Sequence, residues 1–428
     1  MQRTVLVNLG NLVLSLSDAM DLASPSLRHH QQRTAFIVSE LAKVAGFPEE
    51  RAENVFMAAL LHDVGALSLE EKIDLHDSRF ETIEDHCIKG EHLLKTVPWF
   101  TDAARIVRHH HTEWREWGES IDTPLTLDSQ LVFLGDYIER SIDRNRYILH
   151  QHEEVISRVR NLAGSSLHPH VLDMFFAVCE REEFWLDLCS PRLYSILLNE
   201  GPFKKTEIKL SKISLIAILF RNIIDFRSRF TSTHSSGVAA AAVILSKMFG
   251  LTELETMLME VAGNLHDLGK IVIPNSILEK PEPLSKEEMA VMKSHTYYTY
   301  WIINTIGGIK NIAEWAAYHH ERLDGSGYPF HCKANDLSTG ARILAVADIF
   351  TALAEHRPYR KGMPKKEVMR ILEDFSNSSM LDARIVRLVS QNYEEIVQEV
   401  TGKQAEAREF YEGQFAGQVR WGLASSGR

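Results

Sequence analysis

Cysteine is scarce: four residues in 428 (Cys87, Cys179, Cys189 and Cys332), none of them in a C-x-x-C pair. That excludes a disulfide framework and a thiolate zinc site as the basis of the fold. Long hydrophobic runs are missing as well. The opening stretch MQRTVLVNLGNLVLSLSDAM is broken by Asn8, Asn11 and Asp18. It is too short and too polar to span a bilayer and has no signal-peptide cleavage pattern, so no membrane span and a cytoplasmic location are expected. There is no basic excess either: 47 Lys and Arg stand against 58 Asp and Glu, a net charge of -11 without long runs of either sign. This excludes a protein that grips DNA through a general basic surface. A polyanionic ligand would have to be held locally, by metals or a few placed cations. Strand-like alternation is sparse throughout, which argues against a sheet-based fold.

What is present is helical periodicity and enough apolar material, 45% of the chain, to build more than one core. In SPSLRHHQQRTAFIVSELAKVAGF, Ser24-Pro25 reads as a helix start and Gly46 as its stop. GVAAAAVILSKMFG ends at Gly250 in the same manner, and Thr252 with Glu255 predicts a capping box ahead of a further helix, LETMLMEVAGNLHD. The segment IVIP at 271–274 reads as a loop between helices, and a helix over about Ser211 to Arg227 would join two halves of the chain. The expected fold class is all-α.

The two halves repeat each other. His30 and His62-Asp63 are 62 − 30 = 32 positions apart, and His234 and His266-Asp267 are 266 − 234 = 32 apart. His86 precedes His110-His111 by 24 positions, and His295 precedes His319-His320 by 24. Asp136 and Asp348 each close the series after an apolar helical run. The expected organisation is a first helical domain over 1–198, a second over 199–402 and a mobile tail over 403–428, with SPRLYSILLNEGPFKKTEIKL at the boundary.

Five imidazoles and two carboxylates in the second copy (His234, His266, Asp267, His295, His319, His320 and Asp348) exceed what one metal takes. At roughly four to six ligands per ion they suit two ions sharing a carboxylate. Two such ions acidify a bridging water and clamp phosphate oxygens during in-line displacement, so phosphate-ester hydrolysis is the implied chemistry. A lone histidine is more often a surface or hydrogen-bonded core residue. Seven such residues in one order, twice over, are a different matter.

The order H…HD…H…HH…D resembles the HD superfamily of metal-dependent phosphohydrolases. The second copy resembles its HD-GYP subgroup through HDLGKIVIP (266–274), ILEKPEPLSKEEMAVMKSH (277–295), HHERLDGSGYP (319–329), ARILAVADIFTAL (341–353) and RPYR (357–360). The resemblance implies an iron- or manganese-dependent phosphodiesterase that opens a cyclic dinucleotide, cyclic di-GMP or 3′,3′-cyclic GMP-AMP, to the linear form by attack of a metal-bridging hydroxide, in bacterial second-messenger signalling. It implies that His234, His266, Asp267 and Asp348 hold one metal, and that His295, His319 and His320 hold the other, with Asp267 bridging. Asp267 and Lys270 would be catalytic. Lys270, one turn after His266 if the helix continues, would meet a phosphate oxygen, and Arg357 and Arg360 would contact the phosphate-sugar ring. Phe230 replaces the glutamate of three-metal members, which favours two ions.

In the Gly-Tyr-Pro turn, Gly325 and Gly327 are expected to take backbone angles closed to other residues, and Pro329 to stiffen the exit. Tyr328 would either stack on the ligand or anchor the loop. Two residues depart from the family pattern. Thr351 replaces its second aspartate, which would alter how the base or ribose is read, and Gly237 replaces an arginine.

The first copy keeps every ligand type: His30, His62, Asp63, His86, His110, His111 and Asp136. It has Ala66 in place of Lys270, and HHTEWREWGES in place of the Gly-Tyr-Pro loop. A second phosphohydrolase with a smaller substrate, a metal-stabilised regulatory domain and a packing module are the three readings. For the whole chain, the alternatives to the phosphodiesterase are a silent effector that binds the dinucleotide or a partner, and a broader HD-type nucleotidase. Partners under these readings are the cyclic dinucleotide and either a GGDEF-type synthase or a second copy of the chain.

Overall fold

The computed structural model describes residues 5–22, 27–76, 83–227, 233–355 and 361–414. Among them the regular elements are helices, apart from isolated bridges and one antiparallel pair, Leu6–Asn8 with Glu207–Lys209, in which Val7 faces Ile208. The fold class is all-α, as the sequence predicts. The strand pair is too short for alternation to reveal. It exists because residues 201 positions apart meet, and Leu9 N–H then continues the contact by donating to the Thr206 carbonyl at 2.7 Å. The boundary stretch before residue 210 is therefore built into a compact unit instead of hanging as a linker.

The described residues fall into two compact units that are each discontinuous in sequence. One contains those up to Ile224 together with Leu265–Ala317, and the other those of Asp225–Asn264 with those from Tyr318 on. In the first, helix His30–Val44 packs against Glu49–Leu60 and Pro124–Arg140, and Leu9–Asp21 packs against Lys286–Ile306. Asn11 fastens the latter contact by donating from its amide to the carbonyls of Thr305 and Ile306, at 3.0 and 2.8 Å. In the second, helix His234–Phe249 packs against Thr339–Ala354 and Tyr393–Gln414.

Several local signals act as the sequence predicts. Helix His234–Phe249 stops at Gly250, whose φ of +91° suits a residue without a Cβ. Thr252 N–H donates to the Glu255 carboxylate at 2.8 Å, and Glu255 N–H donates back to the Thr252 hydroxyl at 3.2 Å, completing the capping box. The helix expected over about Ser211 to Arg227 runs Leu210–Asp225. Ser24-Pro25 lies outside the described residues, and the helix expected to follow it begins at His30. Helix Tyr393–Gln414 includes residues 403–414, expected as tail, because its inner side buries Ala407 and the hydrogen-bonded Gln404. Residues 415–428 lie outside the described residues.

The glycine of each His-Asp-x-Gly repeat has a steric purpose that the repeat alone does not state. A Cβ on Gly65 would lie 2.0 Å from the His86 carbonyl oxygen, and one on Gly269 would lie 1.9 Å from that of His295. Only glycine lets the His-Asp turn press against the helix carrying the next histidine. Gly65→Ala and Gly269→Ala are each expected to cost roughly 3 kcal/mol or more, by backbone overpacking. Gly118→Ala, with nothing within 4 Å of the added carbon, should stay within about 0.5 kcal/mol. Urea unfolding of the three variants checks this.

Candidate metal centres

In the first unit the seven predicted residues of the first copy converge. His30 stands at the start of helix His30–Val44, His62-Asp63 in the turn after Glu49–Leu60, and His86 on Ile83–Leu94. His110-His111 follow Thr101–His109, and Asp136 projects from Pro124–Arg140. The Asp63 carboxylate divides them into two sets. Its Oδ2 lies 3.4 Å from His30 Nε2 and 3.4 Å from His62 Nε2. Those two imidazole nitrogens are 3.2 Å apart, with Asp136 Oδ1 at 3.5 and 3.7 Å from them. Its Oδ1 lies 3.6 Å from His86 Nε2 and 3.9 Å from His110 Nε2, themselves 3.3 Å apart, and His111 joins this second set. Donor atoms about 3–4 Å apart are what ligands roughly 2.1 Å from a common ion leave between them.

The backbone aims these rings. His62 Nδ1 lies 2.9 Å from the Ala59 carbonyl and His110 Nδ1 lies 2.6 Å from that of Val107, so each Nδ1–H is used on its own helix and Nε2 is presented to the cluster. Burial, reinforced by His111, pushes the His86 imidazole down to about 3, and the same causes hold His110 well below the usual range. Burial alone would raise the Asp63 carboxyl, but His62, His30 and His86 hold it well below the carboxylate range. His86, His110 and His111 are thus held neutral beside an ionised carboxylate, the protonation states metal binding requires, whereas Glu139 and Asp63 push His30 up against the effect of burial and Asp63 and Asp136 do the same to His62. Buried imidazoles and carboxylates at these separations fit a pair of divalent ions, whose charge would replace that of the protons.

The second copy shows the same grammar. In the first unit, Asp267 Oδ2 lies 3.2 Å from His266 Nε2 while Oδ1 lies 3.5 Å from His295 Nε2, repeating the division made by Asp63. The Thr299 hydroxyl clasps this turn, donating to the His266 carbonyl at 3.1 Å and accepting from Gly269 N–H at 2.9 Å. His295 Nδ1 lies 2.6 Å from the Met292 carbonyl, which again leaves Nε2 for the cluster. Lys270 Nζ donates to Asp267 Oδ2 at 2.6 Å. The helix does not continue from His266 as expected. It ends at Leu265, and Lys270 sits in the 3-10 turn Leu268–Val272, where the tighter winding brings it back onto its neighbour's carboxylate. Burial would raise the Asp267 carboxyl, but His266 and Lys270 hold it well below its usual range.

In the second unit, His234 Nε2 lies 3.1 Å from Asp348 Oδ1, and His320 Nδ1 lies 3.8 Å from Asp348 Oδ2. The adjacent rings of His319 and His320 are 4.1 Å apart. Tyr328 packs on His320 with ring centroids 4.9 Å apart. Gly325 has φ +82°, as expected. Gly327 does not adopt a positive φ; it is required because a Cβ would lie 2.4 Å from the Glu321 Cα. Arg357, Arg360 and Phe230 lie outside the described residues. Thr351 is wholly buried. Its methyl lies 2.9 Å from where a Cβ on Gly237 would be, so the two departures from the family pattern are neighbours.

Sequence reasoning missed the carboxylates behind the first histidine of each copy. Glu139 Oε2 lies 2.5 Å from His30 Nδ1, and Glu355 Oε2 lies 3.2 Å from His234 Nδ1. Glu139, one helical turn after Asp136, was findable as an i,i+3 neighbour. Glu355 was not, because the carboxylate at its offset in the first copy (136 + 7 = 143), Asp143, serves a different contact, accepting from Asn145 N–H at 2.9 Å.

Two family models described as HD domain match the chain, at residues 27–141 and 219–385. The chain is 28% identical over 402 residues to 3'3'-cGAMP-specific phosphodiesterase 1 of Vibrio cholerae, covering 92% of this chain and 93% of that protein. It is 41% identical over 141 residues to the cyclic di-GMP phosphodiesterase response regulator RpfG of Xanthomonas campestris, covering 32% of this chain and 37% of that one. A solved Vibrio cholerae structure, the cyclic GMP-AMP specific phosphodiesterase V-cGAP3, shares the fold with a TM-score of 0.61 at 20% identity, over 94% of this chain and 97% of that one. No helix among the described residues is long and apolar enough to cross a membrane. The chain belongs to the HD-domain family as a tandem, with a first HD domain over 27–141 and a second over 219–385 that carries the Gly-Tyr-Pro loop.

Proposed function

We propose that the chain is a phosphodiesterase that opens a cyclic dinucleotide to its linear form in the second HD domain, removing a second messenger. The observation that carries this reading is Asp267, whose two oxygens address different histidines while Lys270 sits on one of them. His234, His266, Asp267, His295, His319, His320 and Asp348 would hold two divalent ions, iron or manganese, with Asp267 shared between them. When bound, such ions supply positive charge to a phosphate and acidify water. The rest is the work of the chain. Asp267 stays ionised under its neighbours' charge, and Lys270 brings an ammonium beside the same carboxylate, where a phosphate oxygen would develop charge. Tyr328 holds His320 in place, and Arg357 and Arg360 are assigned to the substrate's phosphates.

The preferred substrate under this proposal is 3′,3′-cyclic GMP-AMP. Its support is that a relative named for that molecule matches across both HD domains, whereas RpfG, named for cyclic di-GMP, matches 32% of the chain. For the first HD domain we propose a second pair of ions in a regulatory role. Its ligand geometry is complete, but Ala66, buried, stands where Lys270 stands, and no Gly-Tyr-Pro loop follows.

Hydrolysis of the two cyclic dinucleotides is to be measured side by side on protein purified without air and supplied with iron or manganese. Turnover with the mixed dinucleotide at least tenfold faster is expected. Faster cyclic di-GMP turnover would overturn the preference, and binding without turnover would overturn the enzyme. Lys270→Ala is expected to lower kcat by about 10²-fold, the loss typical of one charge-stabilising donor, with the metal content of the protein unchanged.

A further inference from the structure

The two copies solve one problem with different residues. In the first, the position three after Asp136 (136 + 3 = 139) carries Glu139, which accepts from His30 Nδ1–H. The position three after His30 (30 + 3 = 33) carries Arg33, whose Nη1 lies 3.5 Å from Glu139 Oε1, and Arg144 adds a second contact at 2.6 Å. The second copy has lost both members of that pair. Position 348 + 3 = 351 is threonine and position 234 + 3 = 237 is glycine. A Cβ on Gly237 would lie 2.7 Å from Gln404 Nε2 and 2.9 Å from the Thr351 methyl, so the space an arginine would need is already taken.

Glu355 and Gln404 fill the gap. Glu355 caps the C-terminal end of helix Thr339–Ala354, and its Oε2 lies 3.2 Å from His234 Nδ1. Gln404, from helix Tyr393–Gln414, donates from Nε2 to the same Oε2 at 2.9 Å. Glu355 and Gln404 are 6% and 7% exposed, so neither is a solvent-facing accident. The carboxylate has moved four residues along (351 + 4 = 355), one turn further on, and the Gln404 amide donates to it.

We infer that Glu355, oriented by Gln404, is the positioning residue that fixes the ring and tautomer of His234 for metal binding, in place of the arginine–carboxylate pair that serves His30 in the first copy. This rests on the reading of His234 as a metal ligand. Outer carboxylates that accept from a ligand histidine's second N–H set its orientation and basicity, and their loss typically costs 10–100-fold in metal affinity.

The test is manganese affinity, by competition with a chelator, in full-length protein carrying Asp63→Asn, which alters the carboxylate shared by both donor sets of the first domain, so that only the second domain reports. Glu355→Gln, which keeps the shape and removes the charge, is expected to weaken binding about tenfold, and Glu355→Ala up to about a hundredfold. Gln404→Ala should weaken it about fivefold, the loss of one ordinary hydrogen bond, and Glu355→Asp should recover part of the loss. The melting temperature of the metal-free protein should be unchanged in Glu355→Gln; a fall there with unaltered affinity would mark a merely structural residue and overturn the inference. His234→Ala separates the two readings. If it leaves manganese binding intact, His234 is not a ligand and the proposed centre fails. If it weakens binding while Glu355→Gln stays within twofold of the parent, the centre stands and Glu355 has no part in it.

Discussion

Asp267→Asn is expected to lower cyclic dinucleotide hydrolysis by more than about 10³-fold, the scale seen when charge stabilisation at a reacting centre is removed. Asparagine has nearly the same shape, so the turn held by Thr299 and the close approach at Gly269 should survive. What disappears is the negative charge that His266, His295 and Lys270 all face, at 3.2, 3.5 and 2.6 Å. An amide presents one oxygen and one NH₂ group, so it cannot address two ions with two anionic oxygens. Lys270 would at the same time lose the acceptor that places it. Hydrolysis assayed together with metal content checks the prediction. A variant within tenfold of the parent would show that chemistry does not run through this carboxylate.

The second large effect is expected in the first HD domain. Asp63→Asn should reduce the manganese bound per chain by the share of that domain and remove the stabilisation that metal confers on it. A site binding with free metal about a thousandfold above Kd contributes about 4 kcal/mol, which for a unit of this size corresponds to a melting shift of roughly 10 °C. The sign follows from the site. His86 and His110 are buried neutral imidazoles around an anionic Asp63, with their Nε2 atoms turned to that carboxylate, a set that favours a cation strongly. Scanning calorimetry with and without chelator, on the parent and on Asp63→Asn, separates the readings. A parent that loses its upper shift in chelator, and a variant that has none to lose, identify a metal-stabilised domain. Equal curves in all four samples identify a packing module.

The order of the candidate ligands was legible because it is a one-dimensional pattern. A histidine, a His-Asp pair, a histidine, a histidine pair and an aspartate recur with spacings of 32 and 24, and helix periodicity with Gly250 and the Thr252–Glu255 cap placed them on an all-helical scaffold. Lys270 was legible as a charge near the pair, but not in its geometry, because the change from α-helix to a 3-10 turn after Leu265 is decided by packing against helix Lys286–Ile306. Thr351 shows the limit in the other direction. Its replacement of an aspartate was legible, but that its buried side chain packs beside Gly237 was not.

By itself, then, the sequence determined the helical class, the two HD repeats and the candidate ligands of each copy, since each depends only on residue type and spacing. The tertiary structure alone decided which oxygen of Asp63 and Asp267 meets which histidine, why Gly65 and Gly269 admit no side chain, and which carboxylate stands behind His30 and His234. Those outcomes depend on residues brought together from far apart in the chain, such as Gln404 and Glu355 against His234, and no local pattern encodes a contact whose partners lie 121 positions apart.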